Sequence, residues 1–355
     1  MKGIVTLPPK GGVWLKELAE APKGEVKLRT LKTGICGTDK EIVAGKLAFA
    51  RPEFAQELVI GHEALATVED PGENTGFREG DLVVPMVRRG GKCKMCRLGR
   101  QDYCEDGDFV EAGIRGKDGF MREEFQDSPK YLVKVDDRDI MDLAVLTEPL
   151  KNVMKMLEIF NFQNSKLPLY CDDSTLNCKN LYVFGTGTEG LLISSAFRRT
   201  GVNVIAVNRH PLDETVLSFL EVNGIEYLDT SKESLEQKAG KNRMDYAIDA
   251  VGSMDVLREI TKNIGNNGQI ILFGTSGQKE ATSEEFITPL VDKNVMLSGS
   301  TDGAKKHYEQ AIQFIENYGR KYGLGKLITG LYRPEDLKIF NTKEEGEIKK
   351  VIDWT

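Results

Sequence analysis

Residues 181–190 have the sequence LYVFGTGTEG, which is the strongest structural signal in the chain. Four apolar residues, Leu181 to Phe184, indicate a buried strand, and the glycines after them are spaced as G-x-G-x-x-G. A helical pattern over 191–199 and an apolar run over 202–207 complete a strand–loop–helix–strand unit. In such a unit the glycines permit a tight turn, a close approach of backbone amides to pyrophosphate, and helix packing. The stretch therefore predicts a dinucleotide-binding loop, Gly185 to Gly190, rather than an ordinary glycine-rich turn.

The sequence downstream repeats this alternation. Apolar runs at 244–252, 268–274 and 295–300 predict further strands, with helical intervals between them. Strands that alternate with helices form a parallel sheet that binds its ligand at the carboxyl ends of the strands. Residues 305–322 are helical in pattern, and 346–352 predict a final strand.

The residues that close the second strand of the unit indicate which dinucleotide binds. An acidic residue there holds the ribose hydroxyls of NAD, whereas this chain has Asn208, Arg209 and His210. Arg209 can pair with a 2′-phosphate and His210 can add a donor, which favours NADP over NAD. The alternative is a solvated basic turn. Glu189 lies inside the predicted phosphate loop, where it would repel pyrophosphate unless its side chain points away.

The first half of the chain carries candidate metal ligands. His62 and Glu63 follow an apolar run and a glycine, and Cys36 lies between two glycines at the end of a strand pattern. Thiolate, imidazole and carboxylate are all zinc ligands. Cys36 alone could be a small buried hydrophobe, and His62 alone a hydrogen-bonded core residue, but a carboxylate buried without a partner is costly. Glu148 would complete the set, although its position before Pro149 also fits a carboxylate at a helix start.

Three cysteines form a second candidate site, with Cys93 and Cys96 spaced as C-x-x-C and Cys104 following. Closely spaced thiolates repel one another unless a cation or protons intervene, so a bound metal is favoured over free thiols. A fourth ligand is not obvious, and Asp108 is our choice among the nearby acids. Cys171 and Cys178 are expected to be plain thiols in an irregular connector over 161–179.

Length and composition limit the class of protein. A chain of 355 residues predicts about two domains. The net charge of -7 disfavours a nucleic-acid partner, and no apolar run is long enough to indicate a membrane segment or signal sequence. Six cysteines are too few for a disulfide scaffold in a chain of this length, so a cytoplasmic location is expected.

Together these motifs resemble the zinc-dependent medium-chain alcohol dehydrogenases, and among them the archaeal-type glucose dehydrogenases. The resemblance runs the length of the chain. Its motifs are Gly34–Asp39, Gly61–Glu63, the cysteine lobe 93–104, the loop 185–190, and segments at 88–90, 111–114, 118–122, 131–134, 172–176, 208–209 and 346–349. The chain departs from the family in lacking the first of four lobe cysteines, near Gly90 and Gly91, and in having Thr188 and Glu189 where the family loop is apolar.

The resemblance implies an α/β fold: a Rossmann doubly wound parallel sheet (180–304) and a GroES-like, mainly β catalytic domain (1–179 and 305–355). It implies a catalytic zinc at Cys36, His62, Glu63 and Glu148, and a structural zinc in the cysteine lobe. It also implies residues that contact the sugar and residues that contact the cofactor. The sugar set is Thr38, Glu111, Glu148, Asn152, Asp302 and His307. The cofactor set beyond the residues named above is Thr186, Gly187, Leu272, Phe273, Gly274, Ser300 and Asp302.

The activity expected from the resemblance is zinc-assisted oxidation of D-glucose, and of aldoses such as galactose, at C1 to the 1,5-lactone. Hydride passes to NADP, with NAD as a poorer acceptor, and the proton leaves through a water at the metal or a carboxylate such as Glu63. The expected assembly is a homotetramer. The alternatives are a polyol or amino-alcohol dehydrogenase of the sorbitol or threonine type, and a non-catalytic dinucleotide-binding regulator.

Overall fold

The computed structural model describes residues 1–19, 25–47, 49–52, 56–166, 170–274, 290, 292–293, 295–342, 344 and 346–355. The chain forms two compact units, one of residues 1–151 and 302–355 and the other of residues 152–301. Residues 152–179, which the sequence analysis assigns to the first domain, lie in the second of these units, and the functional division at residues 179 and 304 stays a prediction. None of the helices in the described part of the chain has the length and apolar character needed to cross a membrane.

Strands make up most of the regular secondary structure in the first 151 residues. Their strands are β1 (Lys2–Leu7), β2 (Gly11–Glu17), β3 (Val26–Ile35), β4 (Leu58–Val59), β5 (Glu63–Asp70), β6 (Leu82–Pro85), β7 (Arg88–Arg89), β8 (Val110–Ala112), β9 (Gly116–Lys117), β10 (Glu124–Asp127) and β11 (Leu132–Val135). The α-helices that begin here are α1 (Gly37–Val43), α2 (Lys94–Arg97) and α3 (Thr147–Lys166). Short 3-10 helices occupy Gln101–Tyr103, Pro129–Tyr131, Arg138–Ile140 and Ala144–Leu146.

The second unit has the alternating pattern that the sequence predicts. Its strands are β12 (Asn180–Phe184), β13 (Asn203–Asn208), β14 (Glu226–Asp229), β15 (Met244–Asp249), β16 (Ile264–Leu272) and β17 (Met296–Gly299). Its helices are α4 (Thr188–Arg198), α5 (Glu214–Asn223), α6 (Leu235–Lys241) and α7 (Met254–Asn263).

After residue 302 the chain returns to the first unit. This segment contains α8 (Lys305–Phe314), a π-helical turn (Ile315–Gly319), 3-10 helices at Leu324–Leu327 and Leu337–Phe340, and the strands β18 (Ile328–Tyr332) and β19 (Lys349–Asp353). The final strand therefore begins three residues later than predicted. The predicted helix 305–322 is present as α8 with its π-helical continuation, which ends three residues earlier, at Gly319.

All strand pairs of the second unit are parallel, in the order β14-β13-β12-β15-β16-β17. This is the Rossmann order 3-2-1-4-5-6, with the switch of direction beside β12. The strands of this sheet are apolar on both faces because helices cover them; Tyr182, Ile205 and Ala247 belong to one core. The predicted doubly wound sheet is thus confirmed.

The first unit is built on a sheet of order β11-β6-β5-β3-β19-β18, with β10 paired to β3. In β3 the buried residues Val26, Leu28 and Thr30 alternate with more exposed ones, the pattern of a strand with one face on a core. β3 lies between β5 and β19 along part of its length, where Gly34 is opposite Glu63 and Val351. Three distant segments of the chain therefore meet at the carboxyl end of β3.

Two predictions about the connector were wrong. α3 continues to Lys166, six residues into the stretch 161–179 that we expected to be irregular; residues 167–169 lie outside the described residues. Cys171 and Cys178 form a disulfide rather than two plain thiols. The turn between them brings the pair together, since the Cys171 carbonyl accepts the N–H of Ser174, and the Cys178 N–H donates to Cys171 Sγ.

Candidate active site and cofactor loop

Cys36 is fixed by the start of α1. As the N-cap residue, its Sγ accepts the N–H of Thr38 at 3.2 Å, and its own N–H donates to Asp39 Oδ2 at 3.0 Å. This reciprocal arrangement is a capping box, with a cysteine in the place of the usual serine or threonine. β3 ends at Ile35 and α1 begins at Gly37, so Cys36 lies at the carboxyl end of β3.

His62 is held between Cys36 and Asp39. Its Nε2 lies 3.0 Å from Cys36 Sγ, and its Nδ1 lies 3.3 Å from Asp39 Oδ1. A histidine that ligates a metal commonly has its other ring nitrogen against a carboxylate, which fixes the tautomer and orientation of the ring. Asp39 therefore stands where the orienting carboxylate is expected. Gly61, with φ +90°, makes the turn that places His62 here, and a Cβ at Gly61 would lie 2.3 Å from Met121 Cγ.

Glu63 lies on β5 opposite Gly34 of β3 and is buried. A Cβ at Gly34 would lie 2.0 Å from Glu63 Oε2, so this carboxylate fits only because residue 34 has no side chain. Lys349, also buried, places Nζ 2.6 Å from Glu63 Oε1 and 2.5 Å from Oε2. The sequence indicated no partner for the buried Glu63 carboxylate. In the structure Lys349, from the last strand of the chain, is that partner.

Glu148 lies in the first turn of α3 and is buried in the first unit. One carboxylate oxygen of Glu63, one of Glu148 and a ring nitrogen of His62 all lie within 4.8 Å of one another. Ligand atoms of Cys36, Asp39 and His62 form a second group of the same kind, which shares His62 with the first. The structure therefore brings His62 together with Cys36 in one group and with Glu63 and Glu148 in the other.

The charges around these residues match a divalent cation. The cluster continues from Glu148 through a chain of ion pairs to Arg115. Its acidic members, counting Cys36 as thiolate, exceed its basic members by two. The acids are Cys36, Asp39, Glu63, Glu148, Asp302 and Glu111, and the bases are Lys349, Lys151, Arg88 and Arg115. Buried charges that are not balanced are expensive, so the donor set and its charge together fit a zinc ion.

Protons compete with a metal ion for the ligands in this cluster, and the pKa values of these ligands are shifted. Burial works against a charge on the imidazole, but Cys36 and Asp39 together raise the pKa of His62 well above its ordinary value. Burial raises the pKa of the Cys36 thiol. Burial also raises the pKa of Glu63, against the attraction of Lys349. An arriving cation would have to displace these protons.

Cys93, Cys96 and Cys104 also form a cluster, with 4.0 Å between the Sγ atoms of Cys93 and Cys104. A hydrogen bond from the Cys96 N–H is the main cause that lowers the pKa of Cys93 to about 7, whereas burial raises that of Cys96 to about 12. Within the part of the chain that is described, Asp108 is not a member of this cluster. A Cβ at Gly90 would lie 2.9 Å from Cys96 Sγ, so Gly90 borders the thiolates.

The glycine loop of the second unit follows β12 and leads into α4. Gly185 has φ +106°, in the region that favours glycine, and a Cβ at Gly190 would lie 2.0 Å from the Gly185 carbonyl oxygen. Gly187 is the N-cap of α4 and has no atom within 4 Å of its Cβ position. The loop thus has the tight turn, the open helix N-terminus and the close helix packing of a pyrophosphate site. Glu189 lies in the first turn of α4.

A cavity of about 410 Å³ adjoins this loop. Asn208, which ends β13, donates through Nδ2 to Thr186 Oγ1 at 2.9 Å and accepts the Arg209 N–H through Oδ1. Arg209 and His210 are exposed and line the cavity. Its other walls are Phe184, Gly185, Val207, Thr230, Ser234, Leu235, Val251, Asp255, Val256 and Glu259.

The remaining predicted cofactor residues follow the carboxyl ends of the strands. Leu272 ends β16, and the N–H groups of Phe273 and Gly274 donate to the Asp249 carbonyl. A Cβ at Gly274 would lie 2.3 Å from Gly252 N, so only glycine fits. The Ser300 N–H donates to the Leu272 carbonyl, and Ser300 is buried.

The predicted sugar residues lie in different surroundings. Glu111 Oε1 accepts from Arg88 Nη2 at 2.8 Å. His307 is fully buried and accepts the Ala304 N–H through Nδ1 at 2.9 Å, as part of the cap of α8. Asn152 is buried and lies in the second unit, one residue beyond the unit boundary. The roles of these residues, of Thr38 and of Asp302 stay predictions.

The sequence did not identify Asp39, Lys151 or Lys349 as site residues. Asp39 had a usable signal, because it lies three residues after Cys36, at the N3 position of a capping box. Lys349 is 286 residues from Glu63, and no local pattern relates them.

Comparison with known proteins agrees with this geometry. Residues 22–137 match the family described as "Alcohol dehydrogenase GroES-like domain", and residues 141–354 match "Glucose dehydrogenase C-terminus". The structure is similar to that of Haloferax mediterranei glucose dehydrogenase in complex with NADP, Zn and gluconolactone, with a TM-score of 0.88 and 27% identity; the match covers 100% of this chain and 99% of that one.

Two full-length relatives are similar in sequence. Glucose 1-dehydrogenase of Thermoplasma acidophilum is 41% identical over 362 residues, covering 99% of both chains. Glucose 1-dehydrogenase of Metallosphaera sedula is 41% identical over 366 residues, covering 100% of this chain and 99% of the relative. With both domains matched and this identity over the full length, the chain belongs to the archaeal-type glucose 1-dehydrogenases of the zinc-dependent medium-chain alcohol dehydrogenase superfamily.

Proposed function

We propose that the protein oxidises D-glucose, and related aldoses, at C1 to the 1,5-lactone with NADP as the preferred hydride acceptor. The observation that carries this proposal is the pair of overlapping groups that His62 forms with Cys36 and with the buried Glu63 and Glu148, whose donor atoms and charge fit a catalytic zinc. The family relatives named glucose 1-dehydrogenase support glucose as the substrate. A non-catalytic regulator would have no need of this donor set.

Zinc, when bound by these residues, supplies Lewis acidity that favours loss of the hydroxyl proton from the sugar. The side chains have separate tasks. Asp39 holds the ring of His62 so that Nε2 faces Cys36. Glu63 is our candidate for accepting the proton, because its carboxylate is buried beside His62 and Glu148 in the predicted metal site. Lys349, in contact with Glu63, keeps this carboxylate in place in either protonation state.

Arg209 supports NADP as the preferred cofactor. Its side chain is exposed at the rim of the cavity beside the glycine loop, where it can pair with a 2′-phosphate, and His210 adds a further donor. β13 ends in Asn208, which is occupied with Thr186, so the acid that would hold the ribose hydroxyls of NAD is missing from this position. NAD is the poorer acceptor in this proposal.

For the sugar we propose the contacts Thr38, Glu111, Glu148, Asn152, Asp302 and His307, and for the nicotinamide the surroundings Leu272, Phe273, Gly274, Ser300 and Asp302. A structural metal at Cys93, Cys96 and Cys104, a homotetrameric assembly and a cytoplasmic location complete the proposal. The domains 1–179 with 305–355 and 180–304 are its proposed functional division.

The decisive experiment measures turnover and metal content on one sample. Purified protein is stripped by exhaustive chelation, reloaded with zinc, and assayed with NADP and NAD against glucose, galactose, sorbitol and threonine. We expect aldose oxidation that follows the content of zinc and prefers NADP. Activity highest on sorbitol or threonine would contradict glucose as the substrate, and a zinc-loaded protein without turnover on any of them would favour the regulator.

The cofactor assignment has its own test. Arg209→Asp should lower kcat/KM for NADP and move the preference toward NAD, since a carboxylate replaces the partner of the 2′-phosphate. Lys241→Asp is the matched control, because Lys241 carries the same positive charge, is 71% exposed and lies at the far end of α6 from the cavity. An unchanged NADP/NAD ratio of kcat/KM in Arg209→Asp would show that the assignment is wrong.

A further inference from the structure

Lys151 lies buried between two carboxylates of the first unit. Its Nζ is 3.2 Å from Glu148 Oε1, three residues back on α3, and 2.5 Å from Asp302 Oδ1. Only 4% of the Lys151 side chain is exposed, and the side chains of Glu148 and Asp302 are 7% and 5% exposed. A lysine buried this deeply stays charged only because both anions contact it.

The position of Lys151 is fixed from several sides. A Cβ at Gly303 would lie 3.0 Å from Lys151 Cδ, so the aliphatic stem packs directly on the backbone of residue 303. Asp302, in the left-handed region with φ +53°, is itself held by Arg88, whose Nε is 3.1 Å from Oδ2. Arg88 in turn pairs with Glu111. The ammonium group therefore has little freedom to move away from Glu148.

The predicted ligands pose a problem of coordination number. Four protein donors fill a tetrahedral zinc site, whereas a catalytic zinc needs a position that water or substrate can occupy. Each of the two glutamates has a lysine partner, but the contacts differ. Lys349 is within 2.6 Å of both oxygens of Glu63, whereas Lys151 contacts Oε1 of Glu148.

We propose that Lys151 is a positioning residue that restrains Glu148 and so keeps one coordination position of the metal available to the sugar hydroxyl. The inference rests on the proposed function and deepens it. Lys151 holds Oε1, which draws Glu148 away from the ion, so that Cys36, His62 and Glu63 bind it and a fourth position stays open. Asp302 contacts the same ammonium group of Lys151, and so weakens the hold of Lys151 on Glu148. Lys151 and Asp302 should therefore have opposite effects on metal binding.

The first test is Lys151→Met, which keeps the length and apolar character of the stem and removes the charge. Zinc affinity, measured by competition with a chromophoric chelator, should rise roughly ten-fold or more, on the scale by which residues around metal ligands tune affinity. The kcat for glucose should fall at least about ten-fold, because Glu148 then competes for the open position. The d–d spectrum of the cobalt-substituted protein should change with the altered coordination.

Asp302→Asn supplies the opposite test. With its shared anion neutralised, Lys151 should hold Glu148 more firmly, and zinc affinity should fall rather than rise. This variant also keeps the proposal falsifiable if Lys151→Met does not fold. Lys151→Arg retains the charge and should restore much of the wild-type cobalt spectrum. Lys155→Met removes a buried lysine one turn further along α3 and controls for loss of a buried cation.

The result that would overturn the proposal is a Lys151→Met protein that binds zinc as weakly as, or more weakly than, the wild type. Equal shifts in Lys155→Met and Lys151→Met would also overturn it, since the effect would then not depend on contact with Glu148. Failure of the proposed function looks different. In that case the wild type binds zinc but oxidises no sugar, and the comparison of metal affinities still decides the role of Lys151.

Discussion

Loss of Lys349 should destabilise the first unit by a measurable amount. The Lys349 and Glu63 side chains are 2% and 1% exposed, so replacing Lys349 by Met leaves a carboxylate buried without its cation. Removing one partner of a buried pair costs about 3–5 kcal/mol. For a unit of this size, roughly 2–4 °C per kcal/mol gives a fall of about 10 °C in the Tm of the metal-free protein.

The assay can report on the first unit alone. Both tryptophans of the chain, Trp14 and Trp354, lie in that unit, so intrinsic fluorescence follows its unfolding. Trp354 donates through Nε1 to Thr33 on β3, close to the strands that carry the pair. The matched control is the double variant Glu63→Gln with Lys349→Met, which removes both charges. Its Tm should recover most of the loss, because a neutral replacement of a buried ion pair is often close to neutral in stability.

The pH dependence has a definite sign. Burial already raises the pKa of Glu63, and loss of Lys349 should raise it further. An acid whose folded pKa lies above its unfolded value stabilises the fold below the unfolded pKa and loses that contribution as pH rises through the folded pKa. The deficit of Lys349→Met should therefore be smaller at pH 5 than at pH 8. A Tm within about 2 °C of the wild type at pH 8 would refute the reasoning.

Three further outcomes are expected. Glu189→Gln should tighten NADP binding a few-fold in calorimetry, since it removes an anion from the first turn of α4; Glu214→Gln, in the first turn of α5, is the control, and equal effects would contradict the explanation. Zinc affinity should rise between pH 6 and 8 with release of protons, because the pKa of His62 is raised and the ion displaces its proton; calorimetry in two buffers measures this, and zero release contradicts it. Alkylation of denatured, unreduced protein should modify four cysteines, and six only after reduction, whereas six without reductant would rule out the Cys171–Cys178 disulfide.

The features that the sequence predicted are local ones. The glycine spacing over 185–190, the apolar run before it and the helical pattern after it all lie within about twenty residues, so their geometry follows from short-range rules. The helix start at Glu148 was similarly indicated by Pro149. Where the structure differed, tertiary contacts outweighed local pattern. α3 continues through Phe160, whose ring packs against Phe197 and Tyr246, and so extends into a polar stretch that we expected to be irregular.

The partners of the buried carboxylates could not be predicted in this way. Lys349 reaches Glu63 only because β19 pairs with β3 on one side while β5 pairs with it on the other. Lys151 meets Asp302 across 151 residues of sequence, after the whole second unit has intervened. Pairing of this kind depends on strand order and on the path of the chain, which periodicity does not contain.

The charge of the buried cluster depends both on the ligands that the sequence predicts and on the long-range pairings that only the structure shows. The sequence supplied the donors Cys36, His62, Glu63 and Glu148, which by themselves would suit several divalent ions. Only the structure adds the neighbouring charges, among them Lys151 and Lys349, that leave the whole cluster with two net negative charges. A site with the same donors but without Lys151 and Lys349 would carry excess negative charge even when loaded, and its glutamates would be drawn to the ion. We therefore expect the lysines, together with the ligands, to decide whether this donor set holds zinc and leaves a position for a substrate.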